Sequence, residues 1–228
     1  MADGPAPSPA ITRSAHLRSE SRPVFEATAA SAGMVLFALF AHTAQPLFLL
    51  AFAGLILTTL AISGSFRSTV SLGNLFGLTG LSRPVVWWSI VGFVAGAGLA
   101  ILFRLTSDRP LLPSGFEQFV LVAAAIGAAE ELLYRGYVQG RLSRLGWPAA
   151  VILAALAHTA YKTALFAFPP EGLVIQYSTL ALWTVSVGTA FGLTRHLCGS
   201  VLPALTAHVL FDILVYGDWG QAPWWVWG

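Results

Sequence analysis

Charge is scarce in this chain. Only 10% of its 228 residues are Asp, Glu, Lys or Arg, while 56% are hydrophobic; an ordinary soluble domain carries roughly 25% charged residues. A water-soluble globular domain of this size could not hide that apolar surface and is excluded. The basic excess is also small, a formal net charge of +2, and the arginines lie at the ends of apolar stretches rather than in one patch, which argues against nucleic acid as a partner. The sole cysteine, Cys198, can form no intramolecular disulfide, so neither a disulfide framework nor a dithiol redox centre is available. No His-Glu-x-x-His pair occurs, and with it goes the best-known zinc-protease signature. No internal symmetry relates two halves of the chain, as it does in many transporter folds.

What the chain has in abundance is apolar length. Successive apolar stretches of roughly 17–25 residues, divided by short polar punctuation, have the length of membrane-spanning helices. The sequence predicts an all-α, polytopic transmembrane helix bundle of about seven spanning helices, near 24–41, 46–63, 84–103, 115–140, 147–168, 172–194 and 199–216. Residues 1–23, rich in Pro, Ser and Ala, are expected to be a disordered cytoplasmic tail. Residues 24–218 are expected to form a single transmembrane domain, and 219–228 an interfacial tail whose Trp219, Trp224, Trp225 and Trp227 suit an aromatic belt. The glycine-interrupted segment 67–84 reads as interfacial rather than spanning. Gly92 with Gly96, Gly136 with Gly140, and Gly188 with Gly192 make small-x-x-x-small faces that permit close helix packing.

Arginine placement predicts orientation. Arg13, Arg18 and Arg22 precede the first span, Arg67 and Arg83 follow the second, Arg141 and Arg144 the fourth, and Arg195 the sixth, all on one side. Only Arg104 and Arg109 fall on the other. The positive-inside rule then puts the N-terminus in the cytoplasm and the C-terminus outside, in the cytoplasmic membrane if the source is bacterial. A cleaved signal peptide is not expected, because no small-residue cleavage site follows the first span.

Against this apolar background one cluster stands out: Glu130, Glu131 and Arg135, in the middle of an apolar run. An ionisable residue near the bilayer centre costs at least about 2.5–3.5 kcal/mol on insertion scales and reads as functional by default. Counted from the cytoplasmic ends of their helices, Glu130, His158 and His208 all lie about 14–17 Å deep at 1.5 Å per residue. Three helices thereby bring one Glu and two His to a shared layer. Asp212, four residues after His208, occupies the same helical face. Glu131 and Arg135 form an i,i+4 pair in the favourable acidic-before-basic order, which leaves Glu130 without a local counter-charge and free to accept a proton from water. Lys162, one turn beyond His158, is expected to snorkel toward the interface or to anchor a substrate carboxylate. Tyr134 and Tyr161 are placed either to donate hydrogen bonds at the site or to pack as aromatics, with packing the simpler reading, and are left without an assigned role.

The segment EELLYR at 130–135 resembles the Glu-Glu-x-x-x-Arg signature of the CAAX prenyl protease and bacteriocin-processing (CPBP, Abi) family of glutamic-type intramembrane proteases. The family's second motif, Phe-x-x-x-His, aligns with Ala154 to His158, and its third, His-x-x-x-Asn/Asp, with His208 to Asp212. Ala154 stands in place of the usual Phe, and Asp212 where many members carry Asn. The resemblance spans about 80–216, which would be the protease core. It implies a peptide hydrolase without a cofactor, in which Glu130 and His158 activate water while His208 and residue 212 stabilise the oxyanion. By the same resemblance, Glu131 and Arg135 would support Glu130 and position substrate. An ionised Asp212 has no hydrogen to donate, so it either orients His208 and keeps it protonated or is itself protonated. The partners implied are the lipid bilayer and a membrane-associated peptide or protein.

Three other readings compete. One Glu and two His could ligate zinc, with Asp212 behind them. A non-catalytic scaffold or bacteriocin immunity protein could retain the fold, with Ala154 and Asp212 as marks of a decayed site. A proton-coupled transporter could use the same buried ionisable residues as a relay.

Overall fold

Only a helix or a closed barrel satisfies every backbone N–H and C=O inside lipid. Among the described residues of the computed structural model, 9–66 and 71–227, regular structure is helical throughout. The helices are α1 (Pro9–Phe40), α2 (Leu49–Ser65), α3 (Leu72–Phe76), α4 (Arg83–Thr106), α5 (Phe119–Glu131), α6 (Gln139–Leu142), α7 (Trp147–Leu165), α8 (Tyr177–Cys198), α9 (Leu202–Tyr216) and α10 (Trp224–Trp227). A π-helical segment, Leu132–Val138, joins α5 to α6. Prolines in the first turns of α4, α7 and α9 mark starts where the missing N–H costs nothing. Gly199 ends α8 in the left-handed conformation, φ 74°.

Seven helical stretches thus occupy the places expected of seven spans. Two of them, Ser21–Phe40 and Arg83–Thr106, are long and apolar enough to cross a membrane by length and composition; Leu49–Ser65 and Leu202–Tyr216 are apolar but shorter. α5 runs only 13 residues before the π segment begins, and α7 carries His158 and Lys162, which lower its apolarity. The chain nevertheless wears its polarity inside out. α4 exposes Val86, Trp87, Ile90, Phe93 and Val94 while burying Arg104, and an exposed apolar surface of this extent suits lipid.

Two stretches differ from expectation. α1 begins at Pro9, inside the expected tail, because residues 10–22 contain no proline or glycine and several good helix formers. The expected tail's residues 1–8 lie outside the described residues, as do Arg67 and Val70 of the segment read as interfacial. The described part of that segment holds α3, capped by Ser71, whose Oγ accepts from Asn74 N–H, and by Gly77 at φ 67°. Its Gly77 carbonyl accepts from Val201 N–H at 2.9 Å and Ser200 Oγ at 3.3 Å. α3 is therefore fastened to the turn between α8 and α9.

The bundle pairs α1 with α2, α4 with α9, α5 with α9 and α7 with α8. At the α4–α9 seam a Cβ on Gly92 or Gly96 would run into the carbonyls of Pro203 and Ala207, so these glycines set the approach of the two backbones. At one end of the seam, fully buried Arg104 donates from Nη1 to Asp218 Oδ1 at 3.2 Å and from Nη2 to Oδ2 at 2.7 Å. It also donates to the carbonyls of Leu214 and Val215 in the last turn of α9. Elsewhere in the bundle buried Glu26 accepts from Arg22 Nε and Ser65 Oγ, each at 2.8 Å, and pairs with Arg141, tying α1, α2 and α6 together.

The Arg104 hydrogen bond holds the Asp218 carboxyl below its ordinary range. Because the folded-state value is depressed, the stabilisation is present above the ordinary carboxylate range and is lost as pH falls through the lowered value. Asp218→Asn strips the charge from the partner of a buried guanidinium and is expected to cost roughly 1–3 kcal/mol. A thermal melt in detergent micelles at neutral pH should show the loss, and the gap between variant and wild type should narrow in acid.

Candidate active site

Four elements meet at one polar layer. α5 ends on Glu130 and Glu131, the π segment supplies Arg135, α7 supplies His158 and Lys162, and α9 supplies His208 and Asp212. Glu130, Glu131, Arg135, His158 and Asp212 are all buried. The π segment is part of the reason. Tyr134 through Val138 are buried consecutively, more than one stripe of an α-helix can turn inward, and π-helical turns recur at functional sites.

The layer is a closed chain of polar contacts. Glu130 Oε2 lies 3.0 Å from His158 Nε2. His158 Nδ1 lies 2.8 Å from Arg135 Nη1, which also donates to Glu131 Oε1 at 3.1 Å. Glu131 Oε1 lies 2.8 Å from His208 Nδ1. His208 Nε2 in turn stands 3.9 Å from Glu130 Oε2 and 3.8 Å from Asp212 Oδ2. Lys162 Nζ pairs with the other oxygen of Glu130, Oε1, at 2.7 Å.

These contacts fix hydrogen positions. Arginine has no acceptor, so Arg135 donates and His158 Nδ1 must carry a lone pair. The imidazole proton is then on Nε2 and is donated to Glu130 Oε2. His158 is thereby a neutral positioning group for the Glu130 carboxylate, with both ring nitrogens engaged. On the other imidazole, His208 Nδ1–H donates to the carboxylate Glu131, and Nε2 is turned toward Glu130 and Asp212.

The expected assembly of Glu130, His158, His208 and Asp212 at one depth is thus the arrangement found, and Glu131 pairs with Arg135 as its spacing indicates. Three details differ. Glu130 does have a counter-charge, from Lys162, four residues along α7 from His158 and therefore on the same face; that spacing was the signal in the sequence. The side chain of Lys162 is 19% exposed and points into the site rather than snorkelling away from it. The carboxylate that orients His208 is Glu131, while Asp212 stays at ion-pair rather than hydrogen-bond distance.

Packing holds the layer in place. Tyr134 stacks on His158, ring centroids 4.7 Å apart and planes at 29°, and Tyr161 lies 6.3 Å from the same ring at 17°. The His158 ring thus has aromatic neighbours although position 154, one turn before it, is alanine; Ala154 itself is buried in the core with Tyr134 and Tyr161. Gly188 of α8 admits the Arg135 guanidinium, whose Nη2 would lie 2.5 Å from a Cβ there. Among the described residues no group of three or more His, Cys, Asp and Glu side chains has an arrangement that could hold a metal ion.

Residues 112–214 match the family model described as Rce1-like, type II CAAX prenyl endopeptidase. The matched segment, somewhat under half of the chain, starts after α4, contains all three motifs and every side chain of the polar layer, and is similar to the family its motifs resemble. In kind, that supports a CAAX-protease-like intramembrane protease. No curated protein and no solved structure matches the chain.

Proposed function

We propose that the protein is a glutamic-type intramembrane endopeptidase that hydrolyses a peptide bond of a membrane-associated peptide or protein. One observation carries the reading: Glu130 Oε2 lies 3.0 Å from His158 Nε2 and 3.9 Å from His208 Nε2, inside a buried layer. A water held on the face of Glu130 toward His208 gives its proton to the carboxylate as its oxygen attacks the peptide carbonyl carbon. The negative charge that develops on the carbonyl oxygen is met by His208 Nε2–H, in the doubly protonated imidazolium form whose counter-ions are Glu131 and Asp212. Collapse of the tetrahedral intermediate breaks the C–N bond, and the proton on Glu130 passes to the leaving amine. Glu130 returns as a carboxylate, so one water is consumed and no cofactor is used.

On a reading of seven crossings with a cytoplasmic N-terminus, this layer lies about half-way into the bilayer from the cytoplasm. Substrate therefore reaches it from the membrane.

The test is cleavage by the purified protein in lipid vesicles. Membrane-anchored peptides, with and without a prenylated cysteine, are incubated with it and both products are weighed by mass spectrometry. Cleavage should persist in the presence of EDTA and 1,10-phenanthroline. Absence of products across the panel would overturn the peptidase reading, and loss of activity to chelators with recovery on added zinc would overturn the metal-free mechanism.

A further inference from the structure

Lys162 is the only lysine in 228 residues; every other cationic position is arginine. It sits in α7 with its ammonium 2.7 Å from Glu130 Oε1, so the one compact, freely rotating cation in the chain is spent on the carboxylate that the proposed reaction uses. The other cation of the layer, Arg135, is already engaged by Glu131 and His158. A second side chain then bears on Lys162 from the far end of the sequence: the ring of Trp225 in α10 lies 5.8 Å from Nζ, within cation–π range.

Trp225 is itself braced. Its ring lies 5.8 Å from that of Phe166, just past the end of α7, and 6.1 Å from that of Tyr216, the last residue of α9. Its neighbour Trp224 packs edge-on against His42 and Phe166, at 5.9 and 5.7 Å. Trp224 and Trp225, two of the tryptophans that the sequence suggests as an interfacial belt, therefore fold back over the ends of α7 and α9.

We infer that Lys162, seated by Trp225, is a second positioning residue for Glu130 beside His158, so that the C-terminal helix α10 is a working part of the active site. Two groups restrain opposite oxygens of Glu130: a hydrogen bond from His158 reaches Oε2, and the Lys162 ammonium forms an ion pair at 2.7 Å with Oε1, which has no hydrogen-bond partner among the described residues. With both in place the carboxylate plane is restrained from turning, and Oε2 stays on the side of His208. Trp225 narrows the rotamers open to the four-carbon stem of Lys162, since leaving Glu130 would also mean leaving the ring. The inference rests on the peptidase reading for its effect on turnover, but its geometry has a readout of its own.

In vesicle assays Lys162→Met should lower kcat about tenfold, less than the roughly 10²-fold that a 1 Å misplacement can cost because His158 still holds Oε2, with KM within about twofold of wild type. Lys162→Arg should recover part of the loss. Trp225→Leu should lower kcat about threefold, Trp225→Phe less, and Lys162→Met/Trp225→Leu no further than Lys162→Met alone, because the tryptophan acts through the lysine. A wild-type kcat in Lys162→Met, a change in KM alone, or full additivity of the two substitutions would overturn the inference. If the wild-type protein cleaves nothing, the peptidase reading fails instead, and the sole lysine still allows a test. Isotope-labelled lysine places one side-chain signal in the NMR spectrum, which should move in both Glu130→Gln and Trp225→Leu. A signal unchanged by Trp225→Leu would show that α10 does not seat the ammonium.

Discussion

Glu130→Gln should abolish peptide cleavage while leaving the protein folded and able to bind its substrate. The amide keeps the size and shape of the carboxylate and still accepts the Nε2–H of His158 through its oxygen. It has no basic oxygen to take a proton from water, so the first proton transfer is lost. General-base contributions run to about 10²–10⁴-fold, and the same group also protonates the leaving amine, so a fall in kcat at the upper end, about 10⁴-fold or 5.4 kcal/mol in barrier, is the expected result. KM should change little. In vesicles the measurement is single-turnover cleavage of a membrane-anchored peptide, with binding of the uncleaved peptide followed separately. In cells carrying the variant, uncleaved membrane peptides should accumulate. A variant with wild-type turnover would remove Glu130 from the chemistry and return the cluster to a structural ion-pair network. A scaffold would keep its phenotype with this substitution, and a proton-coupled transporter would lose flux without any change in peptide cleavage.

Much of this layer was legible in the sequence because the membrane makes ionisable residues costly. Glu130, His158 and His208 could be set at one depth by counting residues from arginine-marked helix ends, and the structure brings His158 to 3.0 Å and His208 to 3.9 Å from Glu130. The pairing of Glu131 with Arg135 followed from i,i+4 spacing. What spacing could not show was how one arginine divides itself. Arg135 reaches both Glu131 and His158 because the π segment opens the helix at that point, and the periodicity of a regular α-helix carries no warning of that. Lys162 was misjudged for a related reason. A long stem can reach in or out, and only the position of Glu130 across the helix interface decides which. Arg104 was counted for topology alone, yet it is fully buried and closes the α4–α9 seam through Asp218; its acceptors are mostly backbone carbonyls, which leave no trace in a residue pattern. The start of α1 at Pro9 shows the limit of composition as a guide, since a segment rich in Ser and Ala is compatible with both a tail and a helix.

Gly127→Ala should switch the site off without unfolding the protein. Gly127 lies one turn before Glu130 on α5, facing α9, and it is buried. A Cβ at this position would occupy the space of Asp212 Oδ2 and come within 3.1 Å of His208 Cδ2. The substitution favours the helix itself by about 1 kcal/mol, so any loss reports the contact with α9 and not a weakened α5. Asp212 Oδ2 is the tip of a side chain and must rotate away, while the imidazole of His208 has to give by a few tenths of an ångström. His208, which meets the proposed oxyanion, and its counter-ion Asp212 are thus both displaced by one methyl group. Misplacement of about 1 Å can cost about 10²-fold in rate, and a loss of that order in kcat is expected with a melting temperature close to wild type. The Asp212→Ala background separates this account from general damage to the bundle. With the carboxylate removed, most of the space a methyl group needs is open, so adding Gly127→Ala should cost far less than it does in the wild type, a strongly non-additive pair. Full additivity would mean that Gly127 acts on the bundle rather than on Asp212, and the assignment of residue 212 to the working face of His208 would fail with it.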